Sequence, residues 1–369
     1  MSLLRVLVVD ASTLHRRALT EALESLGGLE VVDAVANGAI ALRRLADLDP
    51  ELVVVDAANP DMDSLQLARQ LRVALPQAGL LVTVEGAADA AMAVPLLQAG
   101  ALECIAKPRL SGPGAQIDVL QAELARAVSA HRARQSLLGV TPADGPTPPP
   151  SAPSLRRARP TGAPAAPPPR PAARPAAPVE VVAVGISTGG PKALAELVPR
   201  LPASLPVPIV LVQHMPASFT GTLTESLASR GELPVVEGAH GQTLAAGTLY
   251  IAPGGRQMKV VGDWTHPRLA LTDDPPENHC RPAADYLFRS VAAIFGPRAL
   301  GVVMTGMGAD GREGLRLMKA RGAHTVAQDE ATSMVFGMPM EAIKAGVVDE
   351  IVPLDRMADA IVRLVAHGR

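Results

Sequence analysis

Aromatic side chains are scarce here: phenylalanine, tryptophan and tyrosine together make up 2% of 369 residues. That argues against a base-stacking platform for RNA or single-stranded DNA. Net charge is scarce as well. The 34 basic and 36 acidic side chains leave −2, so no overall field draws the chain toward nucleic acid or anionic lipid. Cysteine occurs twice, at Cys104 and Cys280, with neither metal-ligand nor disulfide spacing. Both read as buried structural thiols in a reducing compartment. Apolar runs are broken by charge or proline before a bilayer-spanning length. The N-terminus, Met1 to Asp10, reads as a buried strand ending in a carboxylate and not as a signal peptide. The expectation is a soluble, cytoplasmic monomer with no nucleic-acid partner and no membrane insertion.

What is abundant is aliphatic: hydrophobic residues reach 48%, and the length suits two domains. Fourteen of the 35 prolines fall between Pro142 and Pro178, interleaved with Arg156, Arg157, Arg159, Arg170 and Arg174, with no acid between Asp144 and Glu180. Such a stretch buries too little apolar surface to offset its ordering entropy. It reads as a solvated linker over 139–178, dividing a domain at 1–138 from one at 179–369. Extended as polyproline II at about 3.1 Å per residue it spans on the order of 100 Å. That is too long to enforce domain packing by itself, so weak control of one domain by the other is expected.

Residues 1–138 alternate apolar runs (Arg5–Val9, Leu29–Val35, Leu52–Val55, Gly79–Val84, Leu102–Ile105) with amphipathic segments. Ser12 is placed to cap the first helix, and Ala115–Arg134 reads as the last. Residues 179–369 repeat the pattern, with strands at Val179–Ile186, Pro208–Val212 and Ala299–Thr305 and a helix at Arg312–Lys319. Runs at Thr248–Ile251, Gln257–Val261, Ala323–Ala327 and Glu350–Val352 are expected to enlarge the sheet. Both halves are therefore α/β and doubly wound, the second mainly parallel.

Three motifs, each after a β-like run, supply a serine, a histidine and an aspartate: Gly185-Ile186-Ser187-Thr188-Gly189-Gly190, Gln213-His214-Met215-Pro216 and Gly306-Met307-Gly308-Ala309-Asp310-Gly311. Ser187 lies in a glycine-rich strand-to-helix turn, where free N–H groups and the helix dipole favour an oxyanion. A phosphate loop ranks behind, because the P-loop lysine and the dinucleotide glycine spacing are missing. His214 ends the following strand, within reach as a proton acceptor. Asp310 alone reads equally as a helix N-cap. With the other two it reads as the carboxylate that orients the imidazole.

With His279-Cys280-Arg281-Pro282-Ala283-Ala284-Asp285 and the run from Gln328 to Pro339, these motifs make the second half resemble the chemotaxis protein-glutamate methylesterases of the CheB family. The resemblance implies Ser187, His214 and Asp310 as catalytic residues, with Thr188 and the Met307 backbone framing the site. Gln257 stands where the family favours histidine. It also implies hydrolysis of glutamate γ-methyl esters on a methylated chemoreceptor with no cofactor for catalysis, glutamine deamidation by the same route, and the array's histidine kinase as a partner. The alternative is a catalytically silent chemosensory adaptor.

Residues 1–120 resemble a response-regulator receiver of flavodoxin-like fold. The resemblance implies Asp56 as phospho-acceptor, Thr83 and Lys107-Pro108 as the switch pair, and Asp10 with Asp56 at a Mg²⁺ site. The usual second acid is Ala11, and Asn59 and Ser64 replace favoured Met and Gly. Two readings stay open: weak phosphorylation at Asp56, or a pseudo-receiver that docks without phosphate. The second is preferred, and Mg²⁺ binding is doubted.

Overall fold

The computed structural model describes residues 3–107, 117–137 and 177–367. The linker (up to residue 176), Pro108 and the first two residues of the expected last receiver helix lie outside them.

The first domain runs β1 (Leu4–Val9), α1 (Thr13–Ser25), β2 (Leu29–Val35), α2 (Gly38–Leu48), β3 (Leu52–Asp56), α3 (Ser64–Ala74), β4 (Gly79–Val84), α4 (Gly86–Gln98), β5 (Glu103–Ala106) and α5 (Ile117–Leu137). The strands pair in the order β2-β1-β3-β4-β5, all parallel. The short polar residues before the helices act as expected. Ser12 Oγ accepts from His15 N, and Asn37 and Asp63 do the same for α2 and α3. Because β1, β3 and β5 run the same way, Asp10, Asp56 and Lys107 meet at one sheet edge.

The second domain runs β6 (Val181–Ile186), α6 (Gly190–Leu197), β7 (Ile209–Gln213), α7 (Ala217–Ala228), β8 (Val235–Glu237), β9 (Leu249–Ile251), β10 (Gln257–Val261), β11 (Arg268–Thr272), α8 (Ala284–Phe295), β12 (Ala299–Val303), α9 (Arg312–Ala320), β13 (His324–Gln328), α10 (Met338–Lys344), β14 (Glu350–Val352) and α11 (Leu354–His367). Seven strands pair in the order β14-β13-β12-β6-β7-β9-β8, all parallel. One expectation is corrected here. Gln257–Val261 does not extend this sheet; it pairs antiparallel with β11 as a separate two-stranded ribbon. Its inward faces, Met258, Val260, Leu269 and Leu271, pack in the core beside α8.

Strand β6 is central and buried along its whole length, as a helix-covered parallel sheet requires. Each such valine or isoleucine contributes about 1.5–3 kcal/mol by leaving water. Gly185 lets α8 approach. A Cβ there would stand 2.7 Å from Ala284 Cβ and 3.1 Å from Phe288. The close fit brings the start of α8 beneath the strand end that carries Ser187.

The two domains touch directly: α4 packs on α6 and α7, and Gln98 Nε2 donates to Ser226 Oγ at 3.0 Å. The domain contact is thus made by helix faces and not by the linker, which is too long to enforce packing by itself. Among the described residues no helix is long and apolar enough to cross a membrane.

Candidate active site

Ser187, His214 and Asp310 follow three neighbouring strands. In the register, Ile186 pairs with Gln213 and Gly185 with Val303. Ser187 thus leaves the central strand with His214 on one flank and the β12 loop on the other. Gln213 ties two of these ends together, its Nε2 donating to the carbonyls of Ser187 and His214 at 3.0 Å each. The turn tolerates no larger residues. Gly189 has φ 82°, and a Cβ on it would meet Met334 Cβ at 2.6 Å, while one on Gly306 would stand 2.7 Å from Ser187 Cβ.

His214 Nε2 lies 2.7 Å from Asp310 Oδ2. The carboxylate accepts, so Nε2 carries a proton and Nδ1 is left to exchange one. Asp310 is buried at 2% exposure, yet it is amply supplied with donors. It also accepts from Ala284 N at 2.6 Å, Asp285 N at 3.0 Å, Gly311 N at 3.0 Å and Asn278 Nδ2 at 2.9 Å. Burial pushes its pKa up, but the bonds to His214 and to the backbone outweigh this and hold it below the ordinary value. One carboxylate thus makes the contact to His214 that an orienting acid needs and the contacts to the N–H groups of α8 that a cap needs. It caps α8 and not the helix that follows it, since the N-cap of α9 is Gly311 and no side chain caps that helix.

Burial lowers the His214 pKa, but hydrogen bonds to Asp310 and Cys280, with their charges, raise it to about 10. No hydrogen bond joins Ser187 Oγ to the imidazole among the described residues; Nδ1 faces Cys280 Sγ at 3.5 Å. Cys280 is half-buried and sits at the site, which corrects its reading as a buried structural thiol.

Thr188 is buried and lines a cavity of about 30 Å³ with Ser187 and His214. Met307 follows Gly306, which abuts Ser187, but does not line that cavity. The receiver supplies part of its wall through Leu97, Leu102, Glu103 and Cys104. The space is about one water's share of liquid volume.

Several functional positions had no signal in the sequence. Asn278 and Asp285 brace Asp310 from an irregular loop and from the first turn of α8. Gln257, fully buried, holds that loop by donating to Pro275 O at 3.2 Å and Cys280 O at 3.3 Å and accepting from Ala283 N at 2.9 Å. Gln257 therefore braces the loop that carries Cys280. The exceptions to that silence are Asp285, which ends the His279–Asp285 motif, and Gln257, which stands where the family favours histidine.

In the receiver, Lys107 Nζ bridges Asp10 Oδ2 at 2.8 Å and Asp56 Oδ2 at 2.7 Å, all three side chains being buried. Burial lowers the Lys107 pKa, and its two carboxylate partners more than restore it. Thr83 Oγ1 is buried there without a partner.

Fold and site together define a two-domain α/β protein, a receiver-type unit joined to a hydrolase-type unit. The family description "CheB methylesterase" matches residues 182–361, and "Response regulator receiver domain" matches 6–112. The chain is 37% identical to the protein-glutamate methylesterase/protein-glutamine glutaminase of Desulfotalea psychrophila, over 99% of either chain. It is also 37% identical to protein-glutamate methylesterase/protein-glutamine glutaminase 3 of Geobacter sulfurreducens, over 98% of each. The crystal structure of the Thermotoga maritima CheB methylesterase catalytic domain superposes with TM-score 0.50 and 36% identity, covering 51% of this chain and 99% of that one. This chain belongs to the CheB family of protein-glutamate methylesterases/protein-glutamine glutaminases.

Proposed function

We propose that this chain hydrolyses glutamate γ-methyl esters on methylated chemoreceptors in the cytoplasm, with Ser187 as nucleophile, His214 as general base and Asp310 as the orienting carboxylate. The names of its relatives support the reaction class. The observation that carries the assignment is the 2.7 Å bond from His214 Nε2 to Asp310 Oδ2, beside a serine at the adjacent strand end. Ser187 Oγ attacks the ester carbonyl while His214 Nδ1 takes its proton. Backbone N–H groups at the start of α6 receive the oxyanion. Methanol leaves with the proton held by His214, and water activated at the same nitrogen releases the glutamate. Glutamine deamidation follows the same route with ammonia as the leaving group. No cofactor takes part.

The receiver acts as a docking module governed by contact with a partner such as the array's histidine kinase. Its donor set does not fit Mg²⁺. The Ala11 side chain offers no oxygen, and the Lys107 ammonium already lies between the two carboxylates, filling the place a divalent ion needs.

The test is methanol release from a methylated chemoreceptor by the intact chain and by Ser187→Ala. Release that disappears with the substitution is expected. Absence of release from both the intact chain and 179–369 would leave the silent adaptor.

A further inference from the structure

His214 is engaged at both nitrogens, by Asp310 at Nε2 and by Cys280 at Nδ1. The sulfur stands at the nitrogen through which protons must pass. Donor atoms of His214, Cys280 and Asp310 all lie within 4.8 Å of one another, which at first suits a metal ion. The arrangement argues against one. Thiol and carboxylate use opposite nitrogens, and a cation takes one nitrogen of a ring. What remains is a line of thiol, imidazole and carboxylate, the arrangement that turns a cysteine into a nucleophile.

The esterase route has no step for this thiol, and the other cysteine supplies a contrast within the same chain. Cys104 Sγ faces the Ala93 carbonyl at 3.6 Å. Burial, with the charge of Glu103, pushes that thiol far above its ordinary range. One sulfur faces a carbonyl and the other faces a base.

We propose that Cys280 is a peroxide-reactive thiol tied to the catalytic base, and that its oxidation to a sulfenic acid shuts the esterase off. As the sulfur attacks, His214 Nδ1, 3.5 Å away, takes the Cys280 proton just as it takes that of Ser187 in the esterase route. The sulfur attacks one oxygen of hydrogen peroxide, an S–O bond forms and the O–O bond breaks. Sulfur loses two electrons, the peroxide gains them, and the departing hydroxide leaves as water with the proton from Nδ1. The new S–OH occupies Nδ1, so Ser187 has no base. A dithiol reverses the step, returning the thiol and releasing water as the dithiol becomes a disulfide.

The switch rests on the esterase reading, whereas the reactive thiol does not. The experiment exposes the intact chain to hydrogen peroxide with dimedone, maps adducts by peptide mass spectrometry, and follows methanol release in parallel. Expected are an adduct at Cys280 and none at Cys104, and labelling slowed about tenfold or more in His214→Gln and in Asp310→Asn. Peroxide is expected to abolish release, dithiothreitol to restore it, and Cys280→Ala to remove the sensitivity. Labelling equally fast without His214, or none at Cys280, overturns the proposal. Labelling that leaves release intact overturns the switch. A chain that labels at Cys280 but releases no methanol before oxidation refutes the esterase reading, and the switch with it, while the thiol assignment stands.

Discussion

Asn278 Nδ2 lies 2.9 Å from Asp310 Oδ1, and the same nitrogen lies 2.9 Å from Asp285 Oδ2. One amide thus separates two buried carboxylates. Burial, and next the charge of Asp310 against the pull of the Gly314 N–H, raise the Asp285 pKa to about 6. Removing the amide leaves Asp310 facing that charge with one donor fewer. Asn278→Ala is expected to lower kcat about tenfold, or about 1.4 kcal/mol, with KM little changed. An unaltered kcat would refute this bracing role.

Protonation of His214 sets the pH dependence. Its charged neighbours are Asp310 from the β12–α9 loop, Cys280 from the loop before α8, and Glu103 from the receiver. With its pKa raised to about 10, the imidazole is charged at neutral pH and accepts a proton only as the pH climbs. The acid limb of kcat/KM is expected above the ordinary histidine range. It should move down in Cys280→Ala, which deletes two of the raising contributions. The sign for stability follows. A raised folded-state pKa gives a contribution present below about 6.5 and lost as pH rises through about 10. Melting curves of the chain and of His214→Gln should therefore converge across that window.

Gly306 tests the packing beneath the nucleophile. A Cβ there would lie 2.5 Å from Met338 Sδ and 2.7 Å from Ser187 Cβ. The Met338 thioether is a flexible side chain although fully buried, whereas the Ser187 backbone nitrogen, 3.1 Å from that Cβ, is fixed by the strand. Gly306→Ala is expected to cost about 1–3 kcal/mol in unfolding free energy and to depress methanol release more than that loss of fold explains. Denaturant titration beside kinetics separates the two.

Glu103 reaches the cavity from the receiver. Burial raises its carboxyl above the ordinary range, while His214 and a hydrogen bond to Thr188 pull the other way. The receiver residues narrow the approach to Ser187, so parting of the domains is expected to raise turnover. Weakening their contact by about 1 kcal/mol raises a small open population about fivefold. Glu103→Ala is expected to raise basal methanol release by that order, and 179–369 alone to exceed it. Equal rates for all three chains would sink the idea.

The receiver is expected to take no label from a phosphodonor in Mg²⁺, with Asp56→Asn as control. Ala11→Asp returns the missing oxygen ligand and should create Asp56-dependent labelling. Strong labelling of the unaltered chain would remove the pseudo-receiver reading.

Much of this arrangement was legible in residue order. Ser187 and His214 end apolar runs and Asp310 follows one across a short loop, and parallel strands carry their ends to one edge, so their meeting there is readable from residue order. The β10–β11 ribbon was misplaced because Arg268–Thr272 is short and starts on a charge, which hides its alternation. Asn278, Cys280 and Gln257 act across a loop with no periodicity, and contacts of that kind leave no trace in spacing. The cap that Asp310 provides belongs to a helix earlier in the chain, so only the fold reveals it. The part Glu103 takes in the cavity wall depends on how two separate surfaces fit.

Strands β7, β6 and β12 belong to one sheet and together position the serine, the imidazole and the carboxylate. The receiver sheet supplies none of that alignment. The loss of a carboxylate at Ala11 therefore leaves the placing of those three side chains unchanged. Such a chain is free to exchange one master for another while continuing to do the same work.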